Sequence, residues 1–180
     1  MGVLVKFSYV ENAHKYVLGI KGQTFEEELD VLTYYHASGA LDNDYYIKGV
    51  YDRLGKEIHG DDSDSEIVSV HEIDDTLFCQ VSANSIVTPS GLPIGDVVVE
   101  AYVHSSDQPS NDGDDNYYQT PAEITRTTDL GKFVMYLKRD LRFVLKVPRL
   151  GYKVWFMVPD EDTLDLKDIE GTTLDIHNPF

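Results

Sequence analysis

Short runs in which apolar and polar residues strictly alternate recur from one end of this chain to the other, and they constrain its fold more than any other feature. In "VLVKFSYV", Val3, Val5, Phe7 and Tyr9 fall on one side, with Leu4, Lys6 and Ser8 on the other. In "DVVVEAYVHS", Val97, Val99, Ala101 and Val103 oppose Val98, Glu100, Tyr102 and His104. A period of two is what a strand with one buried face writes into a sequence. The same alternation marks "KYVLGIKG", "EIVSVHEI", "TLFCQVSA", Glu123 to Thr128, Phe133 to Leu137, Leu141 to Val147 and Lys153 to Val158. The expectation is a mainly β chain, with hairpins joining "VLVKFSYV" to "KYVLGIKG" and joining the pair on either side of Asp74-Asp75.

One stretch reads differently. In "GQTFEEELDVLTYYHASG", Thr24 followed by Glu27 matches a capping box, acidic residues fill the first turn, and Phe25, Leu29 and Leu32 recur at helical spacing before Gly39. This predicts one short helix. "GDDSDSE" at 60–66 and "SSDQPSNDGDDNYYQTP" at 105–121 read as exposed polar loops, and "TTLDIHNPF" as a tail. "YDRLGKEI" from Tyr51 and "TTDLGKFV" from Thr127 share Leu-Gly-Lys ahead of a further strand, the pattern of a tight turn with glycine at positive φ. In the second, an Asp side chain is expected to hold the turn and Phe133 to point inward with Met135 and Leu137.

The resulting division is a β-rich N-terminal region over 1–82 containing the helix, a β-sandwich over 83–170, and a tail over 171–180. A length of 180 residues with 42% apolar content is enough for a real core in either part.

Three segments of the second part, "TPSGLPIGDVVVEAYV", "ITRTTDLGKFVMYL" and "RFVLKVPRLGYKVWFMV", resemble the carboxypeptidase regulatory-like domains, modules with the transthyretin-like fold. The resemblance spans about residues 83–168. It rests on Gly91, Pro93, Ile94, Val97 and Val99, then Thr128, Asp129, Gly131, Lys132 and Phe133, then Gly151 and Tyr152. The usual Pro-Gly-x-Tyr before the penultimate strand is replaced by "KRDLRFVL". The resemblance implies an antiparallel β-sandwich with no chemistry of its own. The closing "VPRLGYKVWFMVPDEDTLDLKDI" is similar to the ends of small β-sandwich proteins of tailed bacteriophage particles, which implies a neck, tail or decoration role. The hydrolases of the transthyretin superfamily carry a His near the start and a Tyr-Arg-Gly-Ser ending; this chain ends "DIHNPF".

No motif of nucleophilic, nucleotide or metal chemistry stands out. There is no Gly-x-Ser-x-Gly, no phosphate loop and no Gly-x-Gly-x-x-Gly. The histidines, His14, His36, His59, His71, His104 and His177, make no His-x-His or His-x-x-x-His pair, and the single Cys79 sits in an apolar run as a small hydrophobe. Asp61, Asp62, Asp64 and Glu66, and Asn111, Asp112, Asp114 and Asp115, have acidic spacing compatible with calcium but fit no helix–loop–helix template, so solvated loops are the plainer reading. Three Tyr-Tyr pairs, at 34–35, 45–46 and 117–118, offer rings either to the core or to a sugar. The chain is therefore expected to be non-enzymatic and without a cofactor or bound metal, with a carbohydrate- or calcium-binding module as the alternative.

Charge is the remaining clue. The formal net charge is −17, a field that repels nucleic acid. Yet residues 132–153 carry Lys132, Lys138, Arg139, Arg142, Lys146, Arg149 and Lys153 against Asp140 alone, a local charge of +6 that leaves −23 for the rest. In Leu141 to Val147 the residues Leu141, Phe143, Leu145 and Val147 share one face and Arg142 and Lys146 the other. Lys138, Arg139, Arg142, Lys146, Arg149 and Lys153 are the candidate interface, aimed either at the protein's own acidic strands or at a neighbour. With no apolar run long enough to span a bilayer and no signal-peptide pattern, the expectation is a virion protein assembled in the host cytoplasm, self-associating or docked on other virion structural proteins, and bound neither to nucleic acid nor to a membrane.

Overall fold

The computed structural model describes residues 2–58, 65–84, 86–88, 90–104 and 120–169. Most of the two acidic loops, His59, His177, Tyr117, Tyr118 and the expected tail lie outside them. The described residues are mainly β, arranged in four sheets.

The N-terminal strands are β1 (Gly2–Phe7), β2 (Lys15–Ile20), β3 (Glu26–Leu29), β4 (Thr33–His36), β5 (Tyr45–Tyr51) and β6 (Ile67–Ile73). They form two antiparallel sheets ordered β4-β1-β6 and β3-β2-β5. Val3, Val5 and Phe7 of β1 join Tyr16, Leu18 and Ile20 of β2 in one buried cluster, as the alternation predicts. The expected hairpin between these two strands is absent: each takes its own partners, and β1 and β2 instead face each other through the shared core.

The expected helix is also absent. Its place is taken by β3, a turn at Asp30-Val31 and β4. Glu26 and Glu28, read as first-turn acids, lie on β3 and reach Lys48 and Lys15 across the sheet. Leu29 and Leu32, whose spacing imitated one helical face, are the buried ends of the two strands around the turn. Non-local pairing with β2 and β1 overrides a local pattern here, and Thr33, Tyr34 and Tyr35 suit a pleated surface at least as well as a helix.

The remaining strands are β7 (Phe78–Ala83), β8 (Val98–Val103), β9 (Glu123–Arg126), β10 (Phe133–Lys138), β11 (Arg142–Val147), β12 (Tyr152–Met157) and β13 (Thr163–Asp165). They make a four-stranded sheet β12-β11-β8-β9 and a three-stranded sheet β10-β7-β13, in which β13 runs parallel to β7 and the other pairs are antiparallel. β13 falls where the sequence pattern reads as ending. Cys79, Val81, Phe133, Met135 and Leu137 from one sheet meet Val99, Ala101, Phe143, Leu145 and Phe156 from the other in a second buried cluster. β6 and β7 are not the hairpin expected around Asp74-Asp75; that turn carries the chain from one cluster to the other. The division expected between 82 and 83 falls inside β7, whose apolar face belongs to the second cluster.

The two Leu-Gly-Lys turns have one geometry. Gly55 at φ 77° and Gly131 at φ 71° each donate to a carbonyl three residues back, Asp52 and Thr128, whose own amides donate to Lys56 and Lys132. At the first turn the Asp52 carboxylate also accepts from the Leu54 and Lys56 amides. At the second the expected Asp does something else: the Asp129 carboxylate accepts the Tyr9 hydroxyl of the other half. Trp155, within the apolar run Lys153 to Val158, is 38% exposed on the outer face of β12, whereas Phe133 and Phe143 are buried.

Candidate functional site

The basic segment separates into three groups once folded. β11 is an inner strand of its sheet, and register sets what stands beside each outward side chain. Arg142 lies opposite Met157, Val144 opposite Trp155, and Lys146 opposite Lys153 on one side; Val144 lies opposite Tyr102 and Lys146 opposite Glu100 on the other. Phe143, Leu145 and Val147 point inward, so these residues share the outer face. Lys146 sits 4.8 Å over the Tyr102 ring and Lys153 4.5 Å over the Trp155 ring, cation–π contacts that hold ammonium groups above aromatic surface. The face is therefore basic and aromatic together, with Met157 53% exposed beside exposed Arg142, while Val144 and Tyr102 at its centre are buried. Arg149 lies just past β11 in a short 3-10 turn, Pro148–Leu150, that Gly151 closes in the left-handed conformation.

Arg139 belongs to the second group. Its Nε donates to the Phe78 carbonyl at 3.0 Å and its Nη2 to the Asp75 carbonyl at 3.0 Å, while Asp162 at 2.6 Å and Asp160 at 3.3 Å complete an ion-pair knot. It ties β7, the Asp74-Asp75 turn and the β12–β13 connection together, a use of the fork geometry of guanidinium within the chain. Lys138 is exposed at the end of β10, on the other sheet. Lys132, the third group, pairs with Asp30 of the N-terminal half. Of the six candidate interface residues the fold thus gathers Arg142, Lys146 and Lys153 on one face, sets Arg149 at its end, and places Lys138 and Arg139 elsewhere.

No known family model, curated protein or solved structure matches this chain.

The seam between the halves is a second site, one that sequence patterns did not signal. Lys6 of β1 pairs with Glu123 of β9, both largely buried. Tyr9 meets Asp129, Lys132 meets Asp30, and the rings of Tyr35 and Tyr136 lie 5.9 Å apart. Burial, reinforced by the Asp75 carboxylate, pushes the Tyr35 phenol up to about 12, and burial together with the hydrogen bond to Asp129 raises Tyr9 further. Both phenols stay protonated at physiological pH, and that of Tyr9 donates to Asp129. Tyr34 packs against the N-terminal core and Tyr35 against the other half, so this pair is used internally. Tyr45 is also buried, with its hydroxyl on His36 Nδ1 at 2.9 Å.

Among the described residues, no three His, Cys, Asp or Glu side chains are grouped so as to hold a metal ion. No helix there is long and apolar enough to cross a membrane. Cys79 is buried in the second core, and desolvation raises its thiol pKa. A thiol reagent at pH 8 is expected to label Cys79 slowly in the native protein and rapidly in denaturant; fast native labelling would contradict its place in the core.

Proposed function

We propose that this chain is a non-enzymatic structural protein, a virion component of the neck, tail or decoration class, that self-assembles or docks on another particle protein. The observation that carries this reading is the outer face of the β12-β11-β8-β9 sheet, where Arg142, Lys146 and Lys153 stand with exposed Trp155 and Met157 on a molecule of net charge −17. Tryptophan, tyrosine, methionine and arginine are the residue types that concentrate at protein–protein interfaces. A basic patch opposed by an acidic remainder also supplies its own complementary surface, which steers encounter and sets orientation.

The transthyretin-like reading belongs to the same proposal. Seven strands, β7 to β13, lie in two sheets around one apolar cluster. The three glycines on which the resemblance rests, Gly91, Gly131 and Gly151, all sit at positive φ. Two sheets around one cluster support a β-sandwich reading, and the parallel β13 departs from a purely antiparallel one.

Light scattering at about 20 mM and about 500 mM salt tests the proposal, since the Debye length falls from roughly 20 Å to 4 Å between them. The expected result is a species larger than a monomer at low salt that dissociates at high salt, or, with the protein alone monomeric, salt-sensitive capture of an acidic particle protein. A monomer with no such capture in either salt would overturn it.

A further inference from the structure

A cleft of about 370 Å³ opens in the seam, between the end of β1, the β3–β4 turn, β6 and β9. It lies at the β9 edge of the sheet, where Ile124 and Arg126 share the outer side with Glu100, and neither the sequence patterns nor the proposed assembly role accounts for it. Its walls are apolar: Phe7 and Leu32 are buried behind it, while Val68 and Ile124 are 66% and 48% exposed at its mouth. The volume falls in the range of small-molecule sites, which combine apolar walls with a few placed polar groups.

The polar groups in this cleft are of a particular kind. Thr33 is 3% exposed, and its Oγ1 has no hydrogen-bond partner among the described residues. A buried hydroxyl left unpaired costs stability, and such groups in a native fold call for a specific explanation. Ser8 Oγ accepts from the Glu66 amide at 2.9 Å, which leaves its own proton to donate. The charges at the rim are matched: Lys6 pairs with Glu123, and Arg126 Nη1 pairs with Asp96 Oδ1 at 2.5 Å. A charged ligand would have to displace one of these partners. A neutral ligand bearing hydroxyls would not, because its hydroxyls answer Thr33 and Ser8 while the paired Arg126 and Asp96 retain lone pairs and protons for further contacts.

We infer that this cleft binds a small neutral hydroxylated molecule, of the mono- or disaccharide class, with an apolar C–H face against Phe7 and Ile124 and a hydroxyl on Thr33 Oγ1. Saccharides present both surfaces at once, and the cleft has the size for one or two rings. The inference uses none of Arg142, Lys146 and Lys153, so its failure leaves the assembly reading untouched, and the reverse holds as well.

Amide chemical shifts of the labelled protein test it, with D-glucose, N-acetyl-D-glucosamine and cellobiose as neutral probes and glucuronate as the charged control. At least one neutral probe is expected to give saturable shifts at Ser8, Thr33 and Ile124 by about 20 mM, roughly twenty times a millimolar Kd, with glucuronate weaker. Thr33→Val keeps the shape and removes the hydroxyl: it should weaken binding about fivefold to tenfold while leaving the unfolding midpoint unchanged or higher. Val68→Trp, at an exposed position, should block the mouth and abolish binding without touching the buried floor. Saturation by none of the neutral probes, shifts confined to other regions, tighter binding of glucuronate, or unchanged affinity in both variants would each overturn the assignment.

Discussion

Gly131→Ala is expected to cost about 3 kcal/mol or more of stability, while Gly55→Ala, at a turn of the same hydrogen-bonded geometry, costs about 1 kcal/mol. Both glycines occupy the left-handed region, at φ 71° and 77°, so both substitutions carry the conformational penalty of an L side chain there. They differ in what surrounds them. A Cβ on Gly55 meets nothing within 4 Å. A Cβ on Gly131 would lie 2.9 Å from the Ile86 nitrogen and closer still to its carbonyl oxygen. That neighbour is backbone held in place: the Ile86 amide donates to the Gly131 carbonyl at 2.7 Å, its own carbonyl accepts from Ile94, and its side chain lies in the core. Relief therefore requires moving the strand start or the segment that carries Ile86. Urea unfolding of the two variants measures the difference, and equal losses would show that Ile86 does not press on the turn.

Phe133→Ala should cost about 3–5 kcal/mol, and Trp155→Ala about 1 kcal/mol, although both are aromatic residues within apolar runs. Phe133 is fully buried between the sheets, so truncation leaves a cavity that its rigid neighbours cannot fill. Trp155 lies on the outer face under the Lys153 ammonium, where water takes the vacated place. Its loss should register instead in association. The same denaturation series decides the matter: a Trp155 variant as unstable as the Phe133 variant would place Trp155 in the core.

The alternation of residues 3–9, 97–104, 133–137 and 141–147 specified strands and their buried faces, because a period of two is a local property of the chain. The turn at Gly131 was legible for the same reason. Strand partners were not, since β1 with β6 and β7 with β10 join segments far apart in sequence, and a hairpin is only the nearest of many pairings. The expected helix over 24–39 failed on a coincidence: Leu29 and Leu32 have helical spacing but flank a turn between two strands. Arg139 and Arg142 were indistinguishable within one basic run, and only the fold shows one knotted to Asp160 and Asp162 and the other exposed beside Met157. The cleft in the seam was beyond sequence reading, because Ser8, Thr33, Val68 and Ile124 come from separate strands and loops with no shared motif.

Sedimentation velocity at low salt, comparing the native protein with Arg142→Glu, tests the central claim that the basic sheet face drives assembly. Arg142 is exposed and makes no core contact, so reversing its charge should leave the unfolding midpoint within about 0.5 kcal/mol of the native value. The account predicts that the native chain, alone or mixed with its acidic partner, sediments as a complex that Arg142→Glu shifts to the monomer. An unchanged complex in the variant would contradict it.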